Sequence, residues 1–200
     1  MTSAVIPFER YQRRCHVPPL VFTEMSQEHL NCGPNCTRGA VSTLANCRLL
    51  LSRARSEGWP VAFVTPFRRA SNLGLSGFRW IEGFRPQRSD MIFEPTAASC
   101  YSSAEFAEAM NEAGMCFVLA GFSGESVCLA TLIDASLYGH HAGFIEDATS
   151  SRPLPGQDPA EGQRMVVATA SRYATIVTAE RWLRIAESHQ SELELCHDGH

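Results

Sequence analysis

Apolar residues in this chain follow two rhythms. Short solid runs at residues 20–23, 60–65, 91–93, 115–120, 142–145 and 173–177 are bounded by glycine, proline or polar residues. Such runs mark strands buried on both faces of a sheet. Between them, apolar positions recur every three or four residues, the mark of helices with one buried stripe. Residues 39–57 carry Val41, Leu44, Leu49 or Leu50, and Ala54 on that stripe, and Gly58 closes the helix. A second helix follows a cap at Ser102 or Ser103, runs to Asn111 and stops at Gly114. A third sets Val127, Ala130, Leu132 or Ile133, and Leu137 on one face and ends at Gly139. Residues 164–171 and 179–187 complete the set. Thr178 caps the last, although Arg181 stands where a capping box wants an acid or glutamine.

Taken in order, the elements alternate: strand, helix, strand, loop, strand, helix, strand, helix, strand, helix, strand, helix. This predicts a three-layer α/β/α domain around a mostly parallel sheet of about six strands. An N-terminal arm at residues 1–19 precedes the domain, residues 20–187, and a polar tail at 188–200 follows it. A chain of 200 residues holds one such domain, and a hydrophobic share of 44% excludes disorder of the whole.

Charge narrows the partners. A formal net charge of −4 and a pI near 6.0 give no electrostatic basis for binding nucleic acid or an anionic membrane. The first residues lack the basic head and apolar core of a secretory signal, and no apolar stretch reaches the roughly 20 residues of a membrane span. The 8 cysteines follow no small-scaffold pattern and read as reduced, mostly buried residues of a cytoplasmic protein. One count changes the picture more. All 17 basic residues are arginine, and there is no lysine. A Schiff base, a lysine proton shuttle or an ammonium partner must come from elsewhere, and arginine stays protonated.

In open α/β sheets ligands sit beyond the C-terminal strand ends. That points to the turn at residues 121–128 and to Glu24, which closes the first strand. Phe67, Arg68 and Trp80, in the loop after the second strand, are candidate walls of the same pocket. Cys32 and Cys36 form a C-x3-C pair without the further ligands of a zinc site. His140 and His141 read as surface or packing residues. No metal and no cofactor are expected.

The segments LAGFSGESVCLATLIDA, GFIEDAT, RLLLSRARSEGWPVAFVT, SDMIFE and ATIVTAERWL resemble the isochorismatase-like family, which includes the cysteine hydrolases. The resemblance covers nearly the whole chain. It implies homo-oligomers and, for the hydrolases, an aspartate base, a lysine and a nucleophilic cysteine. Matched residue by residue, none of the three is retained. The aspartate position holds Glu24, the lysine position falls on Glu94, and the cysteine position falls on Val127 with Cys128 beside it. One residue on a helix is a rotation of about 100° and a rise of about 1.5 Å. Cys128 therefore stands in only if the turn carries an extra residue, and is otherwise a small buried side chain. The isochorismatases that cleave a vinyl ether also place cysteine one step later, but they keep the aspartate and lysine. The resemblance further implies a cis peptide near Phe122 and Ser123, with amides around Gly124 that bind an anionic oxygen.

Two readings follow. In the first, the protein has a degenerate triad and binds a small molecule or a partner without catalysis. In the alternative, it hydrolyses a small amide, carboxylate or vinyl ether. Glu24 is then the general base or acid, Glu94 its coupled partner and Cys128 a displaced nucleophile. Both place the ligand against Phe122, Ser123, Gly124 and Val127, with Phe67, Arg68 and Trp80 around it.

Overall fold

Six strands make one sheet: β1 Leu20–Thr23, β2 Val61–Val64, β3 Met91–Phe93, β4 Cys116–Gly121, β5 His141–Thr149 and β6 Thr175–Val177. Their order is β3-β2-β1-β4-β5-β6, and every neighbouring pair is parallel. Among the described residues five α-helices cover it: α1 Thr37–Ser56, α2 Ala104–Glu112, α3 Leu129–Tyr138, α4 Pro159–Ala170 and α5 Ala179–His197. This computed structural model describes residues 17–30, 37–66, 78–152, 156 and 158–197.

Strand alternation divides the interior into two cores. Leu20, Phe22, Val61, Phe63, Val118 and Ala120 point to one side, where Leu50 of α1 and Trp182 of α5 meet them. Val21, Ala62, Val64, Phe117 and Leu119 point to the other, against Phe106 of α2, Leu132 of α3 and Val166 of α4. Both faces of the central strands are covered, which is why their sequences show no polar alternation. Phe22, Phe63, Phe117 and Phe144 are fully buried, each contributing about 1.5–3 kcal/mol relative to exposure.

Element order and type match the pattern in the sequence; the three largest shifts of boundary are in β5, α4 and α5. β5 was expected over residues 142–145 but continues to Thr149, because Gly121 pairs with Thr149 beyond a register break in β4. α4 starts at Pro159 rather than residue 164. Asp158 accepts a hydrogen bond from Ala160 N–H at 3.1 Å, and proline at the first helical position has no amide to satisfy. α5 continues past residue 187 to His197. Trp59 Nε1 donates to Gln190 Oε1 at 2.6 Å and ties that extension to the core. The weak cap of α5 is completed in space: Thr178 Oγ1 accepts from Arg181 N–H at 3.2 Å, and Asp147 of β5 supplies a carboxylate to Ala179 N–H at 2.7 Å.

Topology singles out one place. From β1 the chain moves outward through β2 and β3, and from β4 it moves the other way through β5 and β6. β1 and β4 are hydrogen-bonded neighbours across the point where the order reverses, and a crevice at their C-terminal ends is where such sheets hold ligands. The two strands close tightly there. Gly121 has φ 118, and a Cβ on it would lie 2.3 Å from Thr23 O. Only glycine fits.

Candidate functional site

Glu24 and Ser123 lie just beyond the C-terminal ends of β1 and β4, and their side chains meet. Ser123 Oγ donates to Glu24 Oε2, and His29 Nε2 lies 3.1 Å from the same oxygen. A carboxylate only accepts, so His29 carries its hydrogen on Nε2. Glu24 Oε1 receives no hydrogen bond among the described residues, and the Glu24 side chain keeps 10% of its surface exposed. His29 sits in a 3-10 turn, Gln27–His29, started by Ser26. Its ring stacks on Phe122 at 5.0 Å and 8°.

Both ends of the Ser123–Glu24 contact have left-handed backbone, Glu24 at φ 48 and Ser123 at φ 61. Non-glycine residues held there cost of order 1–2 kcal/mol each, and such residues gather at functional sites. Ser123 is followed by one π turn, Gly124–Cys128, closed by Cys128 N–H to Ser123 O at 3.2 Å, and α3 continues from it. The described residues contain no cis peptide bond, so the turn expected near Phe122 is made instead by the left-handed Ser123.

A π turn holds one residue more than an α turn, the insertion that Cys128 required. The thiol nevertheless faces inward. Thr23 Oγ1 donates to Phe122 O at 2.8 Å and lies 3.3 Å from Cys128 Sγ, a hydrogen-bond contact in which either group can donate. Cys128 is 0% exposed. Burial pushes its pKa up, and the Thr23 hydrogen bond only partly opposes the shift. A reactive thiolate needs the reverse, a partly exposed electropositive setting.

The remaining candidates are scattered. Val127 is buried in the core beside α2 and α3 rather than on an open surface. Gly124 is buried, and its N–H donates to Ser150 O at 3.1 Å. Trp80 packs edge-on to Phe63 and pairs with Ser26 through an isolated bridge, which places it beside the His29 turn. Glu94, at the end of the edge strand β3, is exposed, while the donors recorded on Glu24 are Ser123 and His29. Phe67 and Arg68, like Cys32 and Cys36, lie outside the described residues. His140 is a buried packing residue, bonded to Tyr101 and Asn111. The sequence alone missed His29 and Thr23. Thr23 was hidden as the polar last position of an apolar strand, and His29 as one residue of a loop. The available signal was a histidine five residues after the acidic strand end.

The family model for the isochorismatase domain matches residues 18–181. The chain belongs to the isochorismatase family. Solved structures agree on the fold. An isochorismatase from Pseudomonas putida KT2440 is 23% identical with a TM-score of 0.70, covering 82% of this chain and 89% of its own. A cysteine hydrolase from Pseudomonas syringae pv. phaseolicola 1448A is 17% identical with a TM-score of 0.74, covering 86% and 93%. N-carbamoylsarcosine amidase from Thermoplasma acidophilum is 22% identical with a TM-score of 0.60, covering 81% and 96%. No curated protein matches the chain by sequence. Within the isochorismatase fold, this chain puts Glu24, Ser123 and His29 together at the β1–β4 crevice and holds its neighbouring cysteine in the core.

Proposed function

We propose that this isochorismatase-family protein binds a small molecule at the C-terminal ends of β1 and β4 and does not use thiolate hydrolysis. The observation that carries the reading is the state of Cys128, fully buried with its thiol held by Thr23. The composition supports it, since no lysine in the chain can take the place that Glu94 occupies. Glu24 Oε1 is the ligand-facing acceptor, with Phe122 and Trp80 as apolar surface nearby. We place the protein in the cytoplasm as a homo-oligomer, on family resemblance and the reduced reading of its cysteines.

The test is a thermal-shift panel of small amides, carboxylates and vinyl ethers, with turnover assayed in parallel. The expected result is at least one compound that raises the melting temperature of wild type and Cys128→Ala alike, and fails with Glu24→Gln. Turnover abolished in Cys128→Ala, with Cys128 alkylated in wild type, would overturn the reading. A second reading, hydrolysis with Glu24 as base, is favoured by one contact, the Ser123 hydroxyl donating to the Glu24 carboxylate.

A further inference from the structure

We infer that Ser123 is a nucleophile, activated by Glu24, toward small activated esters. The inference rests on the second reading above and names its reacting atom. The geometry is that of a strand-to-helix elbow. β4 ends at Gly121, Ser123 turns the chain in left-handed conformation, and the π turn leads into α3. A serine on such a turn is held up at the C-terminal edge of the sheet, where α/β hydrolases carry theirs. Glu24 stands in the position of the base, already accepting the serine hydrogen. His29 donates to the same carboxylate oxygen and is itself fixed by stacking on Phe122. The contact joins two of the three non-glycine residues with positive φ among those described. Backbone strain at both partners of one polar contact is hard to attribute to packing alone.

Electron and proton balance is simple. Ser123 Oγ bonds to the ester carbonyl carbon as its proton passes to Glu24. The carbon–oxygen bond to the leaving alcohol then breaks, and Glu24 returns its proton, to the alcohol or, where the alcohol leaves as its anion, to solvent, so that it is a carboxylate again. Water attacks the acyl-serine, gives a proton to Glu24, and the serine oxygen recovers one as the acid departs.

Two features set the substrate class. Ser123 and Glu24 are both buried, which favours a small acyl group. The Gly124 N–H, which in an elbow helps hold the oxyanion, is committed to Ser150 O at 3.1 Å. Loss of one such donor costs about 10²–10³ in rate. Amides are therefore too demanding, and esters with good leaving groups are accessible.

The experiment uses the full chain with p-nitrophenyl acetate and a small alkyl fluorophosphonate, followed by peptide mass mapping. The expected result is an adduct on Ser123, slow release of nitrophenol, and labelling about 100-fold slower in Glu24→Gln, the size of a general-base contribution. Cys128→Ala should label as wild type. Ser123→Gly keeps the left-handed turn and should remain folded but unlabelled. An unlabelled Ser123 in folded wild type, or equal labelling in Glu24→Gln, overturns the inference. The small-molecule reading has its own readout: a ligand-induced melting shift lost in Glu24→Gln survives without any adduct on Ser123, and absence of both sinks both.

Discussion

Two buried histidines sit at opposite ends of the parallel sheet, and their partners differ in kind. His140, just before β5, is bonded on both ring nitrogens, Nδ1 to Tyr101 Oη at 2.7 Å and Nε2 to Asn111 Oδ1 at 3.0 Å. The asparagine oxygen accepts, so Nε2 carries the hydrogen and Nδ1 accepts from tyrosine. Every group there is neutral and paired, and burial holds the His140 pKa down, with His141 adding to the shift. His29, at the C-terminal end of β1, instead donates to a carboxylate that also takes the Ser123 hydrogen and leaves one oxygen unbonded among the described residues. The first network joins α2 to the start of β5 and ends in itself. The second is polar, backed by strained backbone, and ends at an acceptor without a partner among the described residues. Burial and hydrogen bonding alone do not mark a site; an unfinished network does.

The comparison breaks most completely at Gly121. Gly121→Ala places a methyl 2.3 Å from Thr23 O, which must part β1 from β4. The expected outcome is a loss of several kcal/mol, read as failure to fold or a collapsed urea midpoint. Retention of wild-type stability would refute the close approach.

Thr23→Val is the next largest. It leaves Cys128 and the Phe122 carbonyl without their hydroxyl partner, at a cost of about 1–3 kcal/mol in urea unfolding. Cys128 stays buried, so its reaction with iodoacetamide in the native state should stay slow. Fast alkylation of native wild type would contradict the inward-facing thiol.

Tyr101→Phe and His29→Phe sharpen the contrast directly. Removing the tyrosine hydroxyl should cost about 1 kcal/mol of stability and leave ligand-induced melting shifts unchanged. His29→Phe keeps an aromatic ring against Phe122 but removes the hydrogen bond to Glu24. It should weaken the ligand shift or Ser123 labelling. Equal effects of the two substitutions on ligand response would erase the distinction.

The smallest effect is on pH. Unfolded histidine titrates near 6.5, and folded His140 and His141 titrate below that. Between the two values the unfolded chain binds more protons, so stability rises with pH there. Their contribution is present above about pH 6.5 and is lost as the pH falls through the folded values. Urea midpoints should drop on acidification, less steeply in His140→Gln.

Much of the architecture was legible because burial on both faces of a parallel sheet demands solid apolar runs. β3 appears at its expected residues, and the alternation of elements is reproduced. The family was legible from the same segments. Boundaries slipped where the deciding partner was distant in sequence. β5 is lengthened by Gly121, and the cap of α5 is finished by Asp147. At the site, the sequence by itself determined the absence of lysine, the acid at the end of β1, and the small polar turn after β4. It had no means to say that Glu24 meets Ser123 across 99 positions, or that Thr23 reaches Cys128 across 105. Those contacts exist because the sheet order sets β1 beside β4. A single π turn then decides which side of the first helical turn faces the crevice, and a hydrogen-bond register of that kind is settled only when the strand, turn and helix pack together.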